Sequence, residues 1–415
     1  MSGRGSRDVT IASRGSALAL AQTGQIADAL RDRRYDVDVL EVQTTGDELD
    51  EQRIQELGTT GAFVRSLDDH VLAGDADLAV HSMKDMPTES PAELAVAAVP
   101  ERASAGDVLV TPDGAALEDL PRGATVGTSS LRRRAQLLAE RPDLTVAPLR
   151  GNVDTRLEKL LAPSLQAEHE RRLAAEEGGE AEAGDTRADA DPGDGESVRG
   201  GIDGADGGGS GDTAGQDADD ADEPAFDSTV DEWFQDLSEL ERRALGREVE
   251  TPYDAVVLAA AGLERSGLVH AVPTHRLDPT AFLPAPGQGA LAVVGTDEDL
   301  VERVRSVLDD PRSRLETSVE RAVLAGVGGG CVAPIGVYAR LKGAVVHVQV
   351  RVLGTDGETA VSESRDLPVE RPVEAARDLA ADLRERGAAD LVAAAREERD
   401  AGSDGPGDDP RGNGP

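Results

Sequence analysis

Lys84 and Asp85 are the residues of this 415-residue chain whose types and setting point most directly to chemistry. They close the run Asp77-Leu-Ala-Val-His-Ser-Met-Lys-Asp-Met-Pro87, which begins as an apolar strand and is stopped by a proline. Lys84 is one of only three lysines, with Lys159 and Lys342. A Lys-Asp pair just past the carboxyl end of a strand lies where open α/β sheets hold their ligands. A solvated surface ion pair uses the same two residues, so spacing alone does not separate the two cases. Arginines form the second set. Arg14, Arg132, Arg133, Arg150, Arg156 and Arg265 each fall just after an expected strand or in the first turn of a helix. Their planar forks bind carboxylates two-handed, which suits a ligand with several carboxylates. Any one of them could pair with a surface acid; six at equivalent places make that weaker. Thr128-Ser129-Ser130 adds hydroxyls and free N–H groups at a helix start. Cys331, the only cysteine, follows three glycines and precedes Val-Ala-Pro. A thiol on such a turn can hold a group covalently, whereas a packed lone cysteine would be inert.

These residues need strands and helices to place them. Val9–Ser13 and Val37–Val42 read as strands flanking a helix from Ala17 to about Arg33. Phe63–Ala73 reads as a helix and Asp77–Ser82 as the next strand. Strands at Asp107–Thr111, Ala124–Thr128, Thr145–Leu149 and Tyr253–Ala260 repeat the style. A helix capped by Ser129-Ser130 and another ending near Leu161 lie between them. Alternation of this kind predicts βαβ units and a mostly parallel sheet. Gly289–Gly295 reads as a strand able to return to the first unit. Farther on come a helix at Ser318–Ala325, a hairpin around Lys342-Gly343 and one Ala-rich helix from Val373 to about Arg396.

Between Leu161 and Glu250 the style breaks, with 27 acids against 7 bases. Asp191–Asp222 is mostly Gly, Asp and Ala and is expected to be disordered, with short helices at Leu165–Leu173 and Trp233–Leu245. This is read as a surface-loop insertion, since long loops add little closure entropy. The tail from Glu397 is expected to be disordered as well.

Composition narrows the class. The formal net charge of −38 repels nucleic acid and anionic lipid, so neither is expected as a partner. Acidic excess with scarce lysine suggests a protein kept soluble in concentrated salt. No apolar signal segment opens the chain, and the run Ala255–Leu263 is too short to span a bilayer. One cysteine excludes an internal disulfide. A cytoplasmic protein is expected. The six histidines lack metal-ligand spacing, so no metal site is expected, and no phosphate-binding glycine loop is present.

The motifs together resemble the porphobilinogen deaminase family. They include Ile11-Ala-Ser-Arg-Gly-Ser-Ala-Leu-Ala-Leu20, Val80-His-Ser-Met-Lys-Asp-Met-Pro87 and Val126-Gly-Thr-Ser-Ser-Leu-Arg-Arg133. In the family's order they continue with Leu149-Arg-Gly-Asn-Val-Asp-Thr-Arg-Leu157, Ala260-Ala-Gly-Leu-Glu-Arg265, Leu283-Pro-Ala-Pro-Gly-Gln-Gly-Ala290 and Gly329-Gly-Cys-Val-Ala-Pro-Ile-Gly336. The resemblance implies an α/β fold of three domains, two like periplasmic binding-protein lobes around a cleft and a smaller one bearing the cofactor cysteine. Their expected extents are 1–104 with 289–308, 105–288 including the insertion at about 162–250, and 311–398, before a tail at 399–415. It implies condensation of four porphobilinogen molecules into hydroxymethylbilane on a dipyrromethane cofactor attached by a thioether to Cys331. Asp85 matches the catalytic carboxylate, where it would stabilise a cationic azafulvene. Lys84, Thr128, Ser130, Arg132 and Arg133 match cofactor contacts. Arg14, Ser16, Arg150, Arg156, Arg265 and Gln288 match contacts to substrate and growing chain. A monomer is implied. Two departures stand out: Glu56-Leu-Gly-Thr-Thr-Gly-Ala62 has no lysine where many relatives carry them, and the insertion is unusually long. A non-catalytic carboxylate-binding protein on the same two-lobed fold is the rival, but it would need neither Asp85 beside Lys84 nor a thiol on a glycine turn.

Overall fold

A computed structural model describes residues 7–42, 60–185, 226–330 and 333–403. The expected disorder at Asp191–Asp222, the lysine-free stretch up to Thr59, and Cys331 all lie outside these described residues. The chain runs β1 (Asp8–Arg14), α1 (Ala17–Arg31), β2 (Asp36–Val42), α2 (Thr60–Ala73), β3 (Leu78–Ser82) and β4 (Ala95–Ala98). It continues with β5 (Asp107–Val110), β6 (Thr125–Gly127), α3 (Leu131–Glu140), β7 (Thr145–Ala147) and α4 (Val153–Asp185). After α5 (Val230–Asp236) and α6 (Glu239–Leu245) come β8 (Ala255–Ala259), α7 (Ala260–Arg265), β9 (Thr274–Arg276) and β10 (Leu291–Gly295). The last elements are α8 (Glu298–Leu308), α9 (Pro311–Val327), β11 (Ile335–Lys342), β12 (Val345–Leu353), β13 (Ala360–Pro368), α10 (Pro372–Glu385) and α11 (Ala388–Ser403).

Two five-stranded sheets share one plan, in the orders β2-β1-β3-β10-β4 and β7-β6-β8-β5-β9. In each, the first three strands are parallel and the fourth runs against its neighbours. Four of the five strands in each sheet therefore run one way, the mostly parallel arrangement expected, with one reversed strand in each. The reversed strands are those that follow a crossing: the chain leaves the first sheet after β4 and enters the second as β5, then returns after β9 as β10. A reversed strand begins beside the carboxyl ends of its parallel neighbours. Asp107, opening β5, and Gln288-Gly289-Ala290, leading into β10, therefore sit at the ligand-binding edge of each sheet.

Both faces of the first sheet are covered. Ile26, Ala27 and Leu30 of α1 join Val301 and Val304 of α8 on one face, while Leu67 and Val71 of α2 close the other. Buried on both sides, β10 reads Leu-Ala-Val-Val-Gly without alternation, as a doubly covered strand should. The third sheet, β11-β12-β13, is antiparallel, and β12 alternates buried and half-buried residues over α9 and α10.

Several boundaries differ from the sequence reading. The helix expected to end near Leu161 runs to Asp185, because the Ala-, Leu- and Glu-rich run beyond Pro163 carries it past the missing N–H. The segment Trp233–Leu245 is two helices, each started by its own capping box, Thr229 with Glu232 and Ser238 with Glu241. The single helix expected at Val373–Arg396 is split at Gly387, whose φ of 93° ends α10. Helix α11 continues to Ser403, through the start of the tail expected to be disordered.

By compactness the chain divides into Leu161–Glu248 and the remainder. The smaller unit has a core of its own. The Arg172 guanidinium lies 4.3 Å from the Phe226 ring and 5.2 Å from that of Trp233, and Gln166 donates to the carbonyls of Leu245 and Arg247.

Candidate active site

The turn after β3 presents Lys84 and Asp85. Met83–Asp85 is a single 3₁₀ turn closed by Met86 N donating to Met83 O at 3.3 Å. Residues three apart eclipse in such a turn, so Met83 and Met86 both anchor in the core between α2 and the sheet. Lys84 and Asp85 are left half-buried, each lining a cavity. The strand preceding the turn is pinned from below, where His81 Nε2 and Asp68 Oδ1 are 2.9 Å apart, both buried.

Two cavities meet at this turn. One, of about 290 Å³, is lined by Arg14, Ser16, Lys84, Asp85, Arg265 and Gln288, with α1 and α7 as its walls. The other, of about 340 Å³, is lined by Lys84, Asp85, Ser130, Arg132, Arg133, Arg156 and Gln288, and it reaches Gly330 on the cysteine turn. Lys84, Asp85 and Gln288 belong to both. The first cavity's positions follow from local structure. Arg14 ends β1, Ser16 caps α1 by accepting from Ala19 N, and Arg265 ends α7 with one N–H donated to Gly289 O at 2.8 Å. Burial lowers the Arg265 guanidinium below its ordinary value, partly offset by Glu264.

Beneath the second cavity lies a cluster built on Asp107, whose side chain is fully buried. Arg132 Nη2 donates to Asp107 Oδ2 and Arg133 Nη2 to Asp107 Oδ1, both at 2.8 Å. Burial alone would raise this carboxyl, but the two arginines outweigh it and hold it below the usual carboxylate range. Gln288 spends its amide on Ala105 O, Gly106 O and Asp107 Oδ1, while its oxygen faces Arg132. Gln288, expected as a ligand contact, thus lines both cavities while bracing this cluster. Thr128 is buried, and its hydroxyl accepts from Ser130 N, so it supports the start of α3 and lines neither cavity. Arg150 is exposed and lies outside both.

Two guanidiniums on one carboxylate leave a positive excess. Burial lowers Arg132 below its ordinary value, with Asp107 opposing and Arg133 adding, and its buried Nε makes no hydrogen bond. Burial, then the neighbouring Arg133, pulls Arg156 down to about 10. A buried cationic wall with an unused donor is what a group bearing carboxylate arms would satisfy, so the residues fit a dipyrromethane with acetate and propionate chains. Asp107 and the pair His81–Asp68 carry no signature in the sequence; a lone acid opening an apolar run is not distinguishable there from a surface residue.

Residues 9–168 and 239–303 match the family described as "Porphobilinogen deaminase, dipyromethane cofactor binding domain", and residues 314–385 match "Porphobilinogen deaminase, C-terminal domain". The unmatched stretch between the first two segments falls inside the acidic insertion. The chain is 49% identical to a probable porphobilinogen deaminase of Halobacterium salinarum, with 88% of this chain and 92% of the relative covered. It is 36% identical to a porphobilinogen deaminase of Cutibacterium acnes, covering 87% and 88%, and 35% identical to a probable one of Methanococcoides burtonii, again covering 87% and 88%. The salt-adapted composition agrees with the Halobacterium relative. With matching family segments on both sides of the insertion and relatives aligned over most of its length, this chain belongs to the porphobilinogen deaminase family.

Proposed function

We propose that this protein condenses four porphobilinogen molecules head to tail into hydroxymethylbilane, releasing four ammonia. The observation that carries this is the place of Asp85, which lines both cavities at once. Each addition breaks the C–N bond of the incoming aminomethyl arm and joins its methylene to the free α-carbon of the chain's last pyrrole. The proton lost from that carbon balances the one that leaves with ammonia as ammonium. After four additions one water supplies the hydroxyl of the product: the bond between the tetrapyrrole's first methylene and the dipyrromethane primer breaks, the methylene takes the hydroxyl and the primer's α-carbon takes the proton.

Asp85, as a carboxylate, accepts from pyrrole N–H groups and offsets the positive charge that develops as the amine departs. Lys84, Ser130, Arg132 and Arg133 hold carboxylate arms on the side of Gly330, with Thr128 supporting the helix start. Arg14, Ser16, Arg156 and Arg265 hold those of the substrate and the growing chain; Arg150, exposed outside both cavities, joins them on the motif match alone, and Gln288 braces the wall they share. The dipyrromethane cofactor, linked by a thioether to Cys331, supplies the pyrrole carbon from which the chain is extended. Three domains, at 1–104 with 289–308, 105–288 and 311–398, carry these parts. The protein works as a cytoplasmic monomer without nucleic-acid or membrane partners, in keeping with a charge of −38. Among the described residues no helix is long and apolar enough to cross a membrane.

Intact mass spectrometry of the wild type beside Cys331→Ser tests the cofactor. The expected result is an excess of two linked pyrroles that the variant lacks. A wild type that is unmodified, and stays so after incubation with porphobilinogen, would refute the activity. Asp85→Asn should still bind porphobilinogen yet release no ammonia; near-normal turnover in that variant would remove Asp85 from its role.

A further inference from the structure

Arg321 stands on α9, and its guanidinium reaches the turn that carries Lys84 and Asp85. Its Nη1 donates to the carbonyls of Met83 and Met86 at 3.3 and 3.1 Å, and its Nη2 donates to the Pro87 carbonyl at 2.6 Å. Three carbonyls that bracket Asp85 on both sides therefore converge on one cation.

We propose that Arg321 is the positioning residue for Asp85: it fixes the turn that presents the carboxylate and ties it to the helix leading to Cys331. The inference rests on the role of Asp85 proposed above.

The β3–β10 ladder stops at Ser82 opposite Leu291, and one further bond, Met83 N to Ala290 O, extends it. Within the turn Met86 N donates to Met83 O, and Pro87 has no N–H to add. A short helical turn leaves its last carbonyls without backbone partners, and a planar guanidinium with donors at fixed angles suits several such oxygens at once.

The arginine is itself rigidly based. Its neighbour Glu320 is fully buried and accepts from Arg102 at 2.8 and 2.9 Å, from Gly287 N at 2.7 Å and from Ala339 N at 2.9 Å. Burial opposes the charge on Arg102, but Glu320 outweighs it and raises that guanidinium above its ordinary value. Two consecutive side chains of α9 thus grip the cleft floor: Glu320 the segment before β10, Arg321 the turn after β3. The carboxylate and the root of the cysteine turn are joined through one helix.

The test is kinetics of Arg321→Gln and Arg321→Lys, with amide hydrogen exchange on the same proteins. Misplacing a reacting group by about 1 Å costs on the order of a hundredfold, so Arg321→Gln should lose about tenfold to a hundredfold in kcat while KM changes little. Arg321→Lys should recover part of the loss, since an ammonium can still donate to these carbonyls. Exchange at Lys84–Met86 should quicken in Arg321→Gln while β1 and β12 keep their protection. In an Asp85→Glu background the effect of Arg321→Gln should shrink, because both act through one carboxylate. Unchanged exchange at the turn, or a kcat loss that only follows the unfolded fraction, overturns the proposal. Normal turnover of Arg321→Gln beside an inactive Asp85→Asn overturns it alone, whereas normal turnover of Asp85→Asn overturns it together with the role of Asp85.

Discussion

Met83 Cγ lies 2.7 Å from where a Cβ on Gly287 would stand. Gly287 also has a φ of +75°, in the region that disfavours side chains. The segment leading into β10 can therefore lie against the Asp85 turn only because position 287 is bare. Gly287→Ala should destabilise by about 2–3 kcal/mol, combining left-handed backbone strain with displacement of a buried methionine. Urea unfolding measures the loss, and kcat should fall with it, because Met83 anchors the turn. Unchanged stability would mean that Met83 has room to move aside.

Asp107→Asn removes the one carboxylate under Arg132 and Arg133. Breaking a buried ion pair from one side leaves uncompensated charge and costs about 3–5 kcal/mol, read as a lowered midpoint in chemical unfolding. The acid limb carries a second signature. A carboxyl held below its unfolded value stabilises fully above that value, near 4, and the contribution disappears as pH falls through the lower folded value. Wild-type stability should therefore drop steeply below about pH 4, and that part of the slope should be absent from Asp107→Asn.

Arg156→Met should act in opposite directions on stability and binding. Its guanidinium is pulled down to about 10, so the fold bears a cost for that charge at every pH below that value, neutral pH included. Allowing for partial exposure, removal should stabilise the ligand-free protein by about 1 kcal/mol. Loss of one charged hydrogen bond to a carboxylate should raise KM for porphobilinogen about tenfold. A variant that loses stability would show that Arg156 is held by the protein and not kept in readiness for an anion.

The parallel strands and the residues at their carboxyl ends were legible in the sequence, because a βα turn leaves local marks: an apolar run, a glycine or serine, then a basic helix start. Asp85, Arg14, Arg265, Ser130, Arg132 and Arg133 were found that way, and they line the two cavities. Asp107, Glu320 and Arg321 were not, since their partners lie far along the chain and nothing local sets them apart. Both reversed strands, β5 and β10, were legible as apolar runs, the second as one able to return to the first unit. The strands β4, β9 and β13 were not, being short or polar. The helix expected to end near Leu161 runs on through Pro163, where strong helix formers beyond it outweigh one lost hydrogen bond.

The position of β10 between β3 and β4 bears on how the protein is made. Ser82 and Leu291 are partners in the ladder, yet about 200 residues separate them, including the whole acidic insertion. At about 5–20 residues per second the ribosome needs on the order of 10–40 s to deliver the second strand after the first. Throughout that interval the apolar edge of β3 has no partner, and such an edge invites pairing with other chains. High negative charge on the nascent segment that follows would keep neighbouring chains apart while the first sheet waits for its fourth strand.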